Sequence, residues 1–178
     1  MKEKKRSFDH RIIMDLIITV LLVTVDRILK IYAVTRLKEH PSISLIKGIL
    51  ELTYLENTGA AFGLLKGQKY FFILVGIIIL LSIVYLIFKM PRKKKYNAAH
   101  VALSLIAAGA VGNMTDRIIY DYVMDYIYFS VIRFPIFNMA DIYVTVATVM
   151  MLILLLFVYK EDDLNFLRFK EKRLREID

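Results

Sequence analysis

Seven carboxylates, Asp26, Glu51, Glu56, Asp116, Asp121, Asp125 and Asp141, lie beside long apolar stretches of this chain. A charge is costly in such a setting, and a functional role is its default reading. Asp125 sits in VMDYIYF (Val123–Phe129), between apolar neighbours that would bury it. A buried carboxylate needs a hydrogen-bond donor or a second carboxyl with which to share a proton. Asp141 follows sixteen positions later, with Pro135 in between, and the stretch IYFSVIRFPIF can leave a membrane and return. The spacing therefore permits the two carboxyls to meet. Two close carboxyls do not both ionise readily, so one holds a proton for the pair. The ionised member can take a proton from water while the protonated one polarises an amide carbonyl. That chemistry is peptide hydrolysis without a covalent intermediate. Plainer roles stand beside it. Asn138 reads as a helix N-cap, three residues before an Asp141 favoured by the helix dipole. Asp116, directly before Arg117, reads as half of a structural ion pair.

Other chemistries fare worse. There is no cysteine, which removes thiol catalysis, Cys-based zinc sites and any lipid-modified cysteine on this chain itself. The histidines His10, His40 and His100 show no paired ligand spacing, and neither GxSxG nor a phosphate-cradling glycine loop is present. No metal or other cofactor is expected.

The elements that must position these carboxylates are membrane helices. Apolar residues make up 58% of the 178 positions while charged residues still reach 24%, so the charges must be segregated from the apolar runs. Residues 70–88 and 142–159 are free of charge and long enough to cross a bilayer core of about 30 Å. Ala98–Thr115 also lacks Asp, Glu, Lys and Arg, and its Ala107, Ala108, Gly109, Ala110 and Gly112 suit close helix packing. Ile12–Val34 is interrupted by Asp15, Asp26, Arg27 and Lys30, and spans only if the group Asp26/Arg27/Lys30 faces protein, water or headgroups. The expected fold is an all-α membrane protein in one domain, with spans at about 12–34, 70–88, 98–118 and 138–159. Residues 35–69 and about 119–137 are then extracytoplasmic, and 160–178 form a basic cytoplasmic tail. Within Ile49–Asn57 the alternation predicts a strand, and Gly48, Gly59, Gly63 and Gly67 predict turns, giving a small β-rich extracytoplasmic element between helices 1 and 2.

Sixteen of the 25 basic residues fall before the first span, between spans two and three (Lys89, Arg92, Lys93, Lys94, Lys95) or after the fourth. The positive-inside rule then makes both termini cytoplasmic and gathers the acids near the outer face. These basic runs lack the aromatic interleaving of a nucleic-acid binder, so no nucleic-acid partner is expected. An intramembrane protease and a non-enzymatic four-span protein, a transporter or proton-channel subunit using the same carboxylates, both remain open on these residues. Acids gathered at one face favour the first.

Five blocks in order, DRILK (Asp26–Lys30), ENTGAAFG (Glu56–Gly63), GAVGNMTDR (Gly109–Arg117), VMDYI (Val123–Ile127) and FNMAD (Phe137–Asp141), resemble lipoprotein signal peptidase, or signal peptidase II. The resemblance covers about residues 12 to 159 and includes the four-span topology. It implies an aspartic endopeptidase, multi-pass in the bacterial cytoplasmic (inner) membrane, that cuts prolipoproteins just before a diacylglyceryl-modified cysteine. By motif, Asp125 and Asp141 are the catalytic pair. Asn57, Gly59, Asn113, Asp116, Arg117, Asn138 and Ala140 match support and substrate-contact positions, as do Asp26 and Lys30. The implied partners are the lipid-modified prolipoprotein and membrane lipid, with oligomeric state left open. Arg27, Ala108 and Tyr126 depart from the residues usual in the family, and none removes a catalytic group.

Overall fold

The computed structural model describes residues 10–60 and 64–167. The basic residues before position 10 and after 167, and the turn expected at Gly63, lie outside the described residues. The elements run α1 (His10–Leu37), β1 (Ile43–Ile46), β2 (Leu50–Asn57), α2 (Lys69–Lys89), α3 (Asn97–Tyr120), β3 (Val123–Phe129) and α4 (Met139–Ile153). A π turn over Leu154–Val158 and a 3₁₀ turn over Glu161–Leu167 follow α4.

Helix α3 is the centre of the bundle and packs against α1, α2 and α4. Its small residues make this possible: Ala102, Ala107, Ala108, Gly109 and Gly112 are all buried. A Cβ on Gly109 would stand 2.6 Å from the Ala140 carbonyl oxygen and from Val144, so the α3–α4 approach requires glycine there. Helix α2 buries only Gly76 and Ile83, and Gly76 lies against Met114 of α3. An all-round apolar helix with so little protein cover has the pattern of a membrane span.

Among the described residues three helices, Lys69–Lys89, Lys94–Tyr120 and Met139–Val158, are long and apolar enough to cross a membrane. Helix α1 has 28 residues but carries Arg11, Asp15, Asp26, Arg27, Lys30 and Arg36. Its acids and Lys30 turn inward, with Asp15, Asp26 and Lys30 buried, while Leu16, Val20, Leu21, Ile28 and Ile31 face out.

The β element is larger than expected. It is a three-stranded antiparallel sheet in the order β1-β2-β3, and its third strand comes from the link between α3 and α4. The fold is therefore mostly helical rather than all-α, and VMDYIYF is a strand. Its first four residues are buried, so no polar-apolar alternation marks it. The β1–β2 hairpin turns through Gly48, whose φ of +72° is the left-handed conformation that favours glycine. Leu55 pairs with Asp125, and Asn57 with Val123. The returning chain then bonds to the other edge of β3: Phe137 donates to the Ile127 carbonyl at 3.0 Å and accepts from Ile127 at 2.8 Å. This bridge delivers Asn138 to the start of α4 beside β3. The sheet rests on the end of α1, where Ala33, Leu37 and Tyr126 form a small core with Leu29, Leu52 and Ile127.

At the opposite end of the bundle, Tyr96 packs with Met90, Leu103 and Leu154. Its hydroxyl donates to the Asp163 carbonyl at 2.8 Å, and its ring meets Tyr159 and Phe166. Lys95 pairs with the Asp163 carboxylate. This clasp ties the chain after α4 to the α2–α3 link.

Candidate active site

Asp125 and Asp141 line one cavity of about 530 Å³, together with Asn57, Gly59, Asn113 and Arg117. Strand β3 supplies Asp125 and the first turn of α4 supplies Asp141. Asn138 caps α4: its side-chain oxygen accepts from the Asp141 N–H at 3.2 Å, and its own N–H donates to Asp141 Oδ2 at 3.1 Å. This capping box fixes the Asp141 carboxylate. The amide of Asn138 has its oxygen committed to the cap, so its Nδ2 points away and donates to Asp125 Oδ1 at 2.6 Å. One fully buried asparagine thus touches both carboxylates. The helix-cap reading of Asp141 holds, and the cap also aims the carboxylate.

Asn57 works by the same logic. Its oxygen accepts from the Gly59 N–H at 3.0 Å, which leaves Nδ2 to donate to Asp125 Oδ2 at 2.8 Å. The turn is tight enough that a Cβ on Gly59 would meet the Leu64 carbonyl at 2.6 Å. Arg117 anchors this turn to α3, donating to the Gly59 carbonyl at 3.1 Å and the Asn113 carbonyl at 3.3 Å, with its guanidinium 4.4 Å from the Phe72 ring centre. Burial, then the charge of Asp141, pushes the Asp125 carboxyl up to about 7 against the partial opposition of its two amide donors. At neutral pH a substantial fraction of Asp125 therefore holds a proton.

A buried ionic cluster lies behind Asp141. Lys30 sits 2.9 Å from Asp26 and 2.8 Å from Asp116, and Arg27 reaches Asp116 at 2.8 Å. Asp26 also accepts from the Ala140 N–H at 3.1 Å, another of the first donors of α4. A Cβ on Gly112 would stand 2.6 Å from Asp26 Oδ2, so glycine leaves the space the carboxylate fills. Asn113 joins cluster and cavity, accepting from Lys30 at 3.0 Å and donating to Asp141 Oδ1 at 2.8 Å. The expectation for Asp116 needs correction. Its ion-pair partners are Arg27 and Lys30 of α1, not its neighbour Arg117, because consecutive helical residues point about 100° apart.

The remaining acids lie elsewhere. Glu56 pairs with Lys38 at 2.9 Å, which holds its carboxyl below the usual range, and Asp121 pairs with Lys69 at 2.5 Å beyond the end of α3. Glu51 is on β2, outside the cavity lining. The apolar wall of the cavity, Phe72, Val123, Phe134, Ile136, Phe137, Ile142 and Val146, was not foreseen. Only the apolarity of the segments carrying it pointed that way. Thr145, the hydroxyl in the lining, donates to the Asp141 carbonyl at 2.8 Å as an ordinary helical threonine. No group of three or more metal-ligating side chains occurs among the described residues. The arrangement offers two carboxylates with fixed donors, one of them pushed up to about 7, in a largely apolar cleft. Such a site can activate water and polarise a carbonyl.

Residues 18–157 match the family described as signal peptidase (SPase) II. The chain is 40% identical over 152 residues to a lipoprotein signal peptidase of Clostridium tetani, covering 84% of this chain and 94% of that one. It is 37% identical over 142 residues to a lipoprotein signal peptidase of Clostridioides difficile, covering 80% and 94%. Two solved bacterial membrane enzyme structures, obtained by the in meso method at 2.3 and 1.9 Å resolution, are similar in fold. The first gives a TM-score of 0.72 at 34% identity, covering 93% of this chain and 94% of that one. The second gives 0.71 at 36% identity, covering 82% and 94%.

Proposed function

Since this chain belongs to the signal peptidase (SPase) II family of aspartic peptidases, we propose that it removes signal peptides from diacylglyceryl-modified prolipoproteins, cutting before the lipidated cysteine with Asp125 and Asp141 as its catalytic pair. The observation that carries this reading is the single cavity on which both carboxylates open, each held by two donors and both touched by Asn138.

In the proposed reaction the ionised carboxylate takes a proton from water as its oxygen adds to the scissile carbonyl carbon. The protonated carboxyl donates to the carbonyl oxygen. Collapse of the tetrahedral intermediate breaks the C–N bond: one of its hydroxyls returns a proton to the pair as the C=O re-forms, and the leaving amine takes up a proton from the pair. No covalent enzyme intermediate forms, and the pair returns to one proton. The amide donors hold the carboxylates without rearrangement during the reaction, which is what a preorganised site requires.

All four helices span the membrane in this reading. Helix α1 supports it by turning Asp15, Asp26 and Lys30 onto α3 while its outward residues are apolar. The distribution of basic residues supports cytoplasmic termini and a site near the outer face, and the likeness to bacterial membrane enzymes supports an inner-membrane location. The apolar wall of the cavity suits an acyl anchor, to which each buried methylene contributes about 0.8 kcal/mol.

The test is cleavage by purified full-length protein in detergent, read as a gel shift, with diacylglyceryl-modified and unlipidated prolipoprotein compared. Rapid cleavage of the lipidated form and far slower cleavage of the other is expected. Equal rates would point to a general signal-peptide hydrolase, and no cleavage of either would favour a non-enzymatic role.

A further inference from the structure

Among the buried groups that the proposed chemistry leaves unused, Lys30 has the most specific set of contacts. Its ammonium is fully buried, and its three protons face three acceptors: Asp116 at 2.8 Å, Asp26 at 2.9 Å and the side-chain oxygen of Asn113 at 3.0 Å. Two carboxylates already neutralise the cation, and Arg27 adds a second positive charge to Asp116. The contact with Asn113 does something else: it decides which way that amide faces. With its oxygen held by Lys30, Asn113 presents Nδ2 to Asp141 Oδ1 at 2.8 Å. A cation on an amide oxygen polarises the amide and strengthens the bond its N–H makes to a carboxylate.

Asp125 has no such chain behind it. Its donors are the amides of Asn57 and Asn138, whose oxygens are occupied by the neutral backbone N–H groups of Gly59 and Asp141. Asp141 also accepts the Asn138 N–H at the start of α4, where the helix favours an anion. Two other groups face the pair, and the charge of Arg117 bears more strongly on Asp141 than on Asp125. Arg117 of α3 faces both carboxylates and gives its hydrogen bonds to the Gly59 and Asn113 carbonyls. Tyr126 of β3 stays neutral, because burial pushes its phenol upward.

We infer that Lys30 is a positioning residue that acts through Asn113 to make Asp141 the ionised member of the pair, leaving Asp125 to carry the proton. Asp141 is then the base that accepts the proton of the attacking water, and Asp125 is the acid that donates to the scissile carbonyl. The inference deepens the proposed hydrolysis and rests on it.

The pH dependence of kcat/KM tests the inference, measured with full-length protein and diacylglyceryl-modified prolipoprotein and normalised to folded enzyme by thermal unfolding. Lys30→Gln should move the acidic limb toward neutrality by about one pH unit, so that activity on that limb falls about tenfold relative to wild type. The alkaline limb should move less, and KM should stay within about twofold. The double variant Lys30→Gln with Asp26→Asn keeps the cluster's net charge and should show the same shift. Asn113→Leu leaves the ion cluster intact, cuts the chain at its last link, and should show it too. An acidic limb that coincides with wild type in the variants that fold, with less folded protein as the only change, would overturn the inference. Asp125→Asn and Asp141→Asn serve as the control on the underlying reading. If either stays active, the hydrolysis proposed above is wrong; if both are inactive and the acidic limb is unmoved, only the role of Lys30 is wrong.

Discussion

Helix α1 holds two buried polar clusters against α3, and only one of them leads to the cavity. Asp15 and Asp26 are eleven positions apart on one face of the helix, about 16 Å along its axis. Asp15 lies 2.7 Å from His100 Nδ1, while the Ser104 hydroxyl donates to the His100 carbonyl at 3.0 Å and stands 3.5 Å from Asp15. None of these residues lines the cavity. The Asp26–Lys30–Asp116 cluster instead passes a bond through Asn113 to Asp141 and takes one from the Ala140 N–H. Both clusters satisfy buried charge between the same two helices. Their difference is one asparagine, which joins the second cluster to the cavity that Asp141 lines.

The largest effect that can break this comparison lies at the end of the outer chain. Asp125→Asn and Asp141→Asn keep shape and a hydrogen-bonding oxygen but cannot exchange the proton, so each should lower kcat/KM by about 10²–10⁴-fold while the protein still inserts and purifies. One link further back, Asn113→Ala and Asn138→Ala should each cost about tenfold or more in turnover, the scale of ~1.4 kcal/mol. Gly112→Ala should give a similar loss, because its new Cβ would displace Asp26 from 2.6 Å away. Steady-state rates on folded protein check all three.

The pH response sharpens the contrast. The Asp125 carboxyl rises from an ordinary 3.8 to about 7 in the folded protein, so folding takes up a proton between those values. The stability that this group contributes is fully present below about pH 4 and is lost as pH rises through about 7. Cleavage that needs the Asp125 proton should likewise decline above about pH 7, approaching tenfold per unit. A rate profile and a thermal-unfolding series from pH 5 to 9 read both. Substituting Ser104 should leave the alkaline limb where it is.

The smallest effect belongs to the Asp15–His100 cluster. Ser104→Ala removes one hydroxyl bond, at a cost of about 1 kcal/mol, and should lower Tm by a few degrees with kcat/KM within about twofold of wild type. A tenfold loss of turnover in folded Ser104→Ala would show that the inner cluster also supports the chemistry.

Much of the helical frame was legible in the sequence, for local reasons. The small residues from Ala107 to Gly112 announced a close approach and make one, and the alternation in Ile49–Asn57 announced the strand found at Leu50–Asn57. The Asn138–Asp141 spacing announced a cap, and the cap is there. What stayed hidden is non-local. Val123–Tyr126 is buried, so β3 carried no alternation to read. Asp15 and His100 are 85 positions apart and share no motif. Along the chain the basic residue nearest to Asp116 is Arg117, whereas helix geometry sends its carboxylate across to α1. The orientation of the three cavity amides was also beyond reach, since each is set by what its oxygen accepts.

The central claim is that Asp125 and Asp141 act as one unit, and a double-mutant cycle tests it most directly. It compares kcat/KM for wild type, Asp125→Asn, Asp141→Asn and the double variant on diacylglyceryl-modified prolipoprotein, with folded protein counted in each. Groups that act together are not additive, so the double variant should be no more than about threefold worse than the poorer single one. Losses that multiply, or an Asp125→Asn enzyme that keeps its rate, would contradict the account.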